Sequence, residues 1–459
     1  MSEQALPVNT ALPAGISSST GTASPRRFVT RVAWTFGAKL VMVVSGLGSS
    51  IIAARWLGTK GFGQLSVVNV TGALALQIGS AGLPSAMVYF VARDRRIYVP
   101  AATNALLFAV LVGSLLAICV TGLARFDPAL FGFVPPRLIA IGAISIPFLL
   151  ITLLGLNLFL AVERIAEFNL IDAAAPLLVL LNSLVVLVLM QSSVLALVSM
   201  NTVAAALISL VTIFAVIRGR KDRQTVPWRL DFTLFRRMTS YAVKFYISIL
   251  ASVIIIRADL LIVNHFRGPS EAGVYSVASQ LATLLMLLPG VIATLLFPEI
   301  ASSDDKQGIF AMRVTRHTSF IMLVSCAGAV ALAFALPYVY GSQFADARVQ
   351  LLILLPGVYL ISVESVLVQH FTGTGLPAAI PWFWVITAVV SVGLNLLLVP
   401  RYGARAAAVT SSLTYALIFL LVGWYFRRQT GSTISNALLL TPNEFMNLPA
   451  LVRLGSSSR

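Results

Sequence analysis

Gly58-Thr-Lys-Gly-Phe-Gly63-Gln-Leu-Ser66-Val67 and Gly268-Pro-Ser-Glu-Ala-Gly273-Val-Tyr-Ser276-Val277 share one pattern: two glycines, a serine and a valine recur at one fixed offset. Each copy lies at a junction between two long apolar runs. A weaker echo pairs Asn182 and Val194–Leu195 with Asn395 and Ala407–Ala408 at nearly the same offset. A helix–turn–helix element duplicated at half the chain length predicts two structurally equivalent halves. In a membrane protein that is the architecture of an alternating-access transporter.

Composition puts the chain in a membrane. Of its 459 residues 58% are hydrophobic and 10% charged, and the mean hydropathy is +0.93. So much apolar surface cannot be buried inside one water-soluble domain and must face lipid. Only helices and closed barrels satisfy their backbone groups in a bilayer, and apolar runs of about 20 residues without alternation point to helices. Twelve spans are expected, at roughly 33–56, 62–91, 98–124, 138–161, 168–190, 194–217, 244–266, 272–298, 316–340, 348–371, 378–399 and 404–426.

Six spans per half return the chain to its starting side, so the halves should be parallel repeats about an axis along the membrane normal. The expected division is a disordered cytoplasmic tail (1–30), an N-terminal six-helix lobe (31–218), a basic linker (219–243), a C-terminal six-helix lobe (244–428) and a second cytoplasmic tail (429–459). Placing the N-terminus in the cytoplasm leaves about 22 basic residues inside against about 8 outside, so both termini are expected to be cytoplasmic. The net charge of +16 then reflects this bias and not a nucleic-acid footprint. Its densest stretch, Arg218 to Lys244, surrounds Trp228-Arg-Leu-Asp-Phe-Thr-Leu-Phe235 and interleaves apolar with basic residues. It reads as an amphipathic helix on the anionic inner leaflet, joining the halves. Ser24-Pro-Arg-Arg-Phe28 is only superficially like a twin-arginine signal, because no small-residue cleavage site follows before a full-length span. The two cysteines, Cys119 and Cys326, lie in apolar runs and read as packing residues.

Ionisable residues within spans carry the functional information, since each costs on the order of 2.5–3.5 kcal/mol at the bilayer centre unless it meets a partner or water. Lys39 in span one, Asp172 in span five, Arg257 and Asp259 in span seven and Glu364 in span ten qualify. Spans one and seven are the first helices of the two halves, so each half offers one cation to the space between them. At 1.5 Å per residue Lys39 lies about 9 Å from the inner surface and can snorkel, whereas Arg257 lies about 18–20 Å deep. Asp259 is no automatic partner for Arg257, because residues two apart point to different sides of a helix. Glu364 is open to three roles: pairing with Arg257, holding a coupling cation, or hydrogen bonding within the second half.

Gly82-Leu-Pro84, Pro147, Pro176, Pro289-Gly290 and Pro356-Gly357 mark places where spans bend. Asn69, Gln77, Asn157, Asn182, Asn201 and Asn395 either line a polar route or hydrogen-bond between helices. His265, His317 and His370 are scattered, and no metal-ligand spacing, phosphate-binding Gly-Lys-Ser/Thr loop or nucleophile elbow occurs. Neither a metal nor another resident cofactor is expected, nor an enzymatic activity.

Four stretches together resemble a known family. Ala54-Arg-Trp-Leu-Gly58 through Gly63 resembles its turn between spans one and two, and Arg257-Ala-Asp259-Leu-Leu-Ile-Val through Gly268, Gly273-Val-Tyr-Ser276 and Ala278 its span-seven to span-eight signature. Phe297-Pro298-Glu299-Ile300 resembles the close of span eight, and Asn395-Leu-Leu-Leu-Val-Pro400 with Gly403 and Ala406–Ala408 the turn between spans eleven and twelve. Arg267 departs from the pattern, which often has an apolar residue there. The chain is thereby similar to the polysaccharide and O-antigen flippases of the multidrug/oligosaccharidyl-lipid/polysaccharide (MOP) exporter superfamily.

That resemblance implies a V-shaped, MATE-like fold of two six-helix lobes around a central cavity. It also implies the cargo: an oligosaccharide repeat unit on a polyprenyl diphosphate, moved across the inner (plasma) membrane for exopolysaccharide, O-antigen or capsule synthesis. Polysaccharide polymerase and glycosyltransferases are the protein partners it implies, beside membrane lipids. The diphosphate needs cations, so Arg257, with Lys39 second, is expected to contact it. A proton or sodium gradient would drive transport, with Asp259 or Glu364 as the ion-binding carboxylate. The rivals are a cation-coupled multidrug exporter of the same superfamily and a membrane polysaccharide polymerase or ligase; the short expected outside loops oppose the latter. The repeated turn itself is expected to be structural and remote from the diphosphate contact.

Overall fold

The computed structural model describes residues 25–132, 134–219, 229–290, 292, 308–374, 377–431 and 438. Among them there is no strand. Ten helical stretches are long and apolar enough to cross a membrane: Gly37–Ser80, Arg95–Phe126, Pro136–Ala161, Ile165–Leu189, Val194–Arg218, Tyr246–Arg267, Pro269–Gly290, Ile309–Tyr340, Ser342–Phe371 and Ala379–Thr430. The first and last are each folded in two, at Gly58 and at Gly403. Twelve crossings result, six on each side of the linker, and they are numbered here as spans one to twelve. The protein is an all-α, multi-pass membrane protein with two six-helix lobes.

The turns between spans one and two, seven and eight, and eleven and twelve share one backbone geometry. Gly58 has φ 66° and ψ −177°, Gly268 φ 82° and ψ 174°, and Gly403 φ 67° and ψ −152°. Left-handed φ with extended ψ is open essentially to glycine alone, so these glycines fix where the chain reverses. All three turns lie at one end of the molecule, the turn end; the first helix starts and the last one finishes toward the other, the tail end.

At the turn end the two lobes are knitted together. The repeated turns pack directly on each other: a Cβ at Gly63 would overlap the Pro269 carbonyl, and one at Gly273 the Thr59 carbonyl. Equivalent serines complete the contact, with Ser66 donating to the Ser276 hydroxyl at 2.9 Å. Around this centre Arg55 donates to the Val339 carbonyl at 2.7 Å and to the Tyr338 carbonyl, at the end of span nine. Asn264 of span seven donates to the Phe131 carbonyl at 2.6 Å, and the Phe62 and Phe344 rings meet edge to face at 5.9 Å.

Span seven belongs to a longer helix. Asp231 caps it by accepting from the Leu234 N–H at 2.8 Å, and the helix runs from Phe232 to Arg267. The described part of the expected linker, from residue 232 on, is therefore the start of span seven. It buries Leu234, Met238 and Ala242 against the first lobe and leaves Arg236, Arg237 and Phe232 exposed. Tyr89 stacks on Tyr241 at 4.6 Å, and Tyr246 donates to the Gln77 and Ile78 carbonyls at 3.1 and 2.8 Å. These contacts tie the first helix of the second lobe to the first lobe at the tail end too.

Helix breaks fall where glycine and proline foretell them. Span two stops at Ser80 and restarts at Leu83 through left-handed Ala81 and Gly82. Span four is interrupted at Ser145, just before Pro147, while Pro176 and Pro356 are accommodated inside helices. Span five ends in a π-helical turn over Leu184–Leu189. The first helix already begins at Pro25, within the stretch expected to be disordered. Residues 1–24, most of the basic linker stretch at 220–228, the Phe297-Pro298-Glu299-Ile300 motif and nearly all of the tail after 431 lie outside the described residues.

Candidate functional site

A cavity of about 560 Å³ lies between spans one, two, four, five and six of the first lobe and spans seven and eight of the second. Its end toward the repeated turns is formed in part by Ser66 and Ser276, the hydrogen-bonded pair that joins the lobes. The repeated motif, expected to be remote from the diphosphate contact, reaches one end of the cavity on whose wall Arg257 also lies. Its glycines bring the lobes together and its serines form part of the cavity wall.

Arg257 is the one charged residue on this wall among the described residues. It stands midway between Tyr246 and Arg267, roughly 15 Å from either end of the span at 1.5 Å per residue. Among the described residues its guanidinium has no hydrogen-bond or ion-pair partner. The rest of the wall is neutral, with hydroxyls and amides set among apolar side chains. Asn69 is exposed to this space although residues 65–68 and Val70 beside it are buried.

The other three predicted site residues lie off this wall. Lys39 donates to Asp172 of span five at 3.0 Å, and 53% of its side chain is exposed. Its shallow position lets it reach a carboxylate of its own lobe, so the structure brings Arg257 to the cavity and not Lys39. Asp259 bonds into the second lobe, forming no ion pair with Arg257 but staying near enough to feel its charge. There it accepts from the Tyr275 hydroxyl, the Ser411 hydroxyl at 3.0 Å and the Leu260 N–H at 2.7 Å. Glu364 is 1% exposed, and its Oε1 has no hydrogen-bond partner. No ion pair joins it to Arg257, which removes one of its three open roles.

Of the amides singled out in the sequence, Asn182 donates to Asn201 at 3.0 Å and holds its carbonyl toward span five. Asn157 and Asn395 donate to carbonyls of their own helices, at 2.8 and 2.9 Å. Gln77 offers its backbone oxygen, which accepts from the Tyr246 and Ser80 hydroxyls. No motif singled out Ser50 and Gln280, which bond across the lobes at 2.6 Å. For Ser66 and Ser276 the signal was in plain view, since they are the serines of the duplicated motif.

The sequence profile of the family described as polysaccharide biosynthesis protein matches residues 52–349. The chain belongs to this family. One relative, the probable low-salt glycan biosynthesis flippase of Haloferax volcanii, is 27% identical over 173 residues, which are 36% of this chain and 37% of that protein. The chain spans about a third of the length of the curated relatives it matches. Two solved structures share the fold of this family member. The lipid II flippase MurJ in an inward closed conformation has a TM-score of 0.74 at 14% identity, over 94% of each chain. An inward-facing multidrug resistance MATE family transporter of the MOP superfamily has a TM-score of 0.71 at 12% identity, over 85% of this chain and 94% of its own.

Proposed function

We propose that this protein is a flippase carrying polyprenyl-diphosphate-linked oligosaccharide repeat units from the inner to the outer leaflet of the cell's inner membrane, by alternating access of its two lobes. The observation that carries this reading is Arg257 at mid-membrane, without a hydrogen bond or close ion pair and the lone charge among the described residues of an otherwise neutral, hydroxyl- and amide-bearing wall. A cation at this depth is costly unless water or an anion meets it, and a diphosphate is such an anion. A cavity built for cationic drugs would call for carboxylates, and none lines it among the described residues. The relatives' names, which include a glycan biosynthesis flippase and a succinoglycan biosynthesis transport protein, agree with a glycan cargo.

In this reading both termini are cytoplasmic and the knitted turn end faces outward, so the conformation described is closed to the outside. Proton or sodium coupling belongs to the same proposal. Its supporting observation is Glu364, a buried carboxylate with an unpartnered oxygen; Asp259, whose oxygens already accept from three donors, fits a structural role in the second lobe better. Polymerase and glycosyltransferases would act after and before this step. Deleting the gene tests the function: lipid-linked repeat units should accumulate and surface polysaccharide should fall. Unchanged glycolipids together with lost small-molecule efflux would favour the drug exporter instead.

A further inference from the structure

We propose that the glycan segment seated in this cavity is uncharged, so that the cargo is a lipid diphosphate whose sugars nearest the diphosphate are neutral. The inference rests on the flippase reading. The wall divides by chemistry. Arg257 on span seven is its lone described cation, and a diphosphate more than saturates one guanidinium. Opposite it the first lobe presents only neutral groups. The Ser145, Thr152 and Thr202 hydroxyls each donate to a backbone carbonyl, at 2.6, 3.0 and 2.9 Å, and so turn acceptor lone pairs to the cavity.

Amides supply the complementary donors. The Asn201 carbonyl is engaged by Asn182 at 3.0 Å, which leaves its NH2 group for cargo. Gln280 is placed alike, its oxygen held by Ser50 at 2.6 Å, and Asn69 has no hydrogen bond among the described residues. A surface of this kind matches sugar hydroxyls, which donate and accept in turn. A uronic acid in the same place would bring a carboxylate with no cation left to meet it among the described residues of the wall, and a desolvated, unpaired charge is a strong rejecting element.

The test is equilibrium binding to the full-length protein in nanodiscs of neutral lipid, with three synthetic probes. These are bare short-chain polyprenyl diphosphate, the same diphosphate carrying two hexoses, and the same carrying a hexuronic acid next to the diphosphate. The neutral glycolipid should bind on the order of tenfold or more tightly than the uronic one, the discrimination expected of one unpaired buried charge. Asn69→Lys, which adds a cation to the sugar side, should narrow that ratio. Equal or tighter binding of the uronic probe overturns the inference while leaving the flippase reading standing, as does a ratio unmoved by Asn69→Lys in protein that still binds the bare diphosphate. If none of the three probes binds, the flippase reading falls and the inference with it.

Discussion

Arg257 and Asp259 stand two positions apart on one helix and meet opposite surroundings. Arg257 lies on the cavity wall, where the proposed cargo would meet it; Asp259 accepts from three donors, two of them in the second lobe's other spans. Replacing Asp259 by Asn would turn an N–H2 group toward the Tyr275 and Ser411 hydroxyls. It should cost about 1–3 kcal/mol, the usual loss when a buried polar partner is mismatched. Lys39→Ala removes only a half-exposed ion pair, for which at most about 1 kcal/mol is expected. Thermal unfolding of the two purified variants checks the order: Asp259→Asn should melt clearly below Lys39→Ala, and the reverse would mean that the Asp259 cluster is not structural. At Arg257 charge and shape separate. Lys keeps the charge but loses the two-pronged donor set, so Arg257→Lys should retain more of the transport rate than Arg257→Gln, which loses the charge as well.

The elements that decide the molecule's behaviour are the duplicated turns. Gly63 and Gly273 sit where each lobe's backbone touches the other's, so a methyl group on either must force the lobes apart. Overpacking of this kind costs about 1–3 kcal/mol and falls only on the state in which the turns meet. Gly63→Ala and Gly273→Ala should therefore favour opening at the turn end. In a background with Cys119 and Cys326 replaced, a Ser279→Cys probe on the cavity wall should label faster with a membrane-impermeant thiol reagent from outside when either alanine is present. Unchanged labelling would show that this contact does not gate the cavity. The sequence disclosed the turns as equivalent but not as neighbours, because a repeat offset reports symmetry and carries no contact information. The continuity of the linker with span seven was half legible. Asp231 is a good N-cap three residues before Leu234, but hydropathy starts the span only where charges stop.

At the scale of the whole molecule, composition and the spacing of apolar runs were enough for twelve helices in two lobes, since a bilayer leaves little else possible. The cavity wall was another matter. Which side of a span faces a cavity depends on helix rotation and on partners such as Asp172, which lies in another span far along the chain from Lys39. Depth alone separated Arg257 from Lys39, and it did so because a side chain at mid-membrane cannot snorkel to water. In the proposed cycle the lobes move a lipid-linked oligosaccharide past this guanidinium. Its most direct test is the flipping rate of a fluorescent polyprenyl-diphosphate-linked oligosaccharide in vesicles containing wild-type protein or equal amounts of Arg257→Ala. The wild type should translocate the probe, and Arg257→Ala should be slower by on the order of tenfold to a hundredfold, the loss expected on removing a charge-assisted contact. Equal rates for the two proteins would show that Arg257 takes no part in moving the cargo.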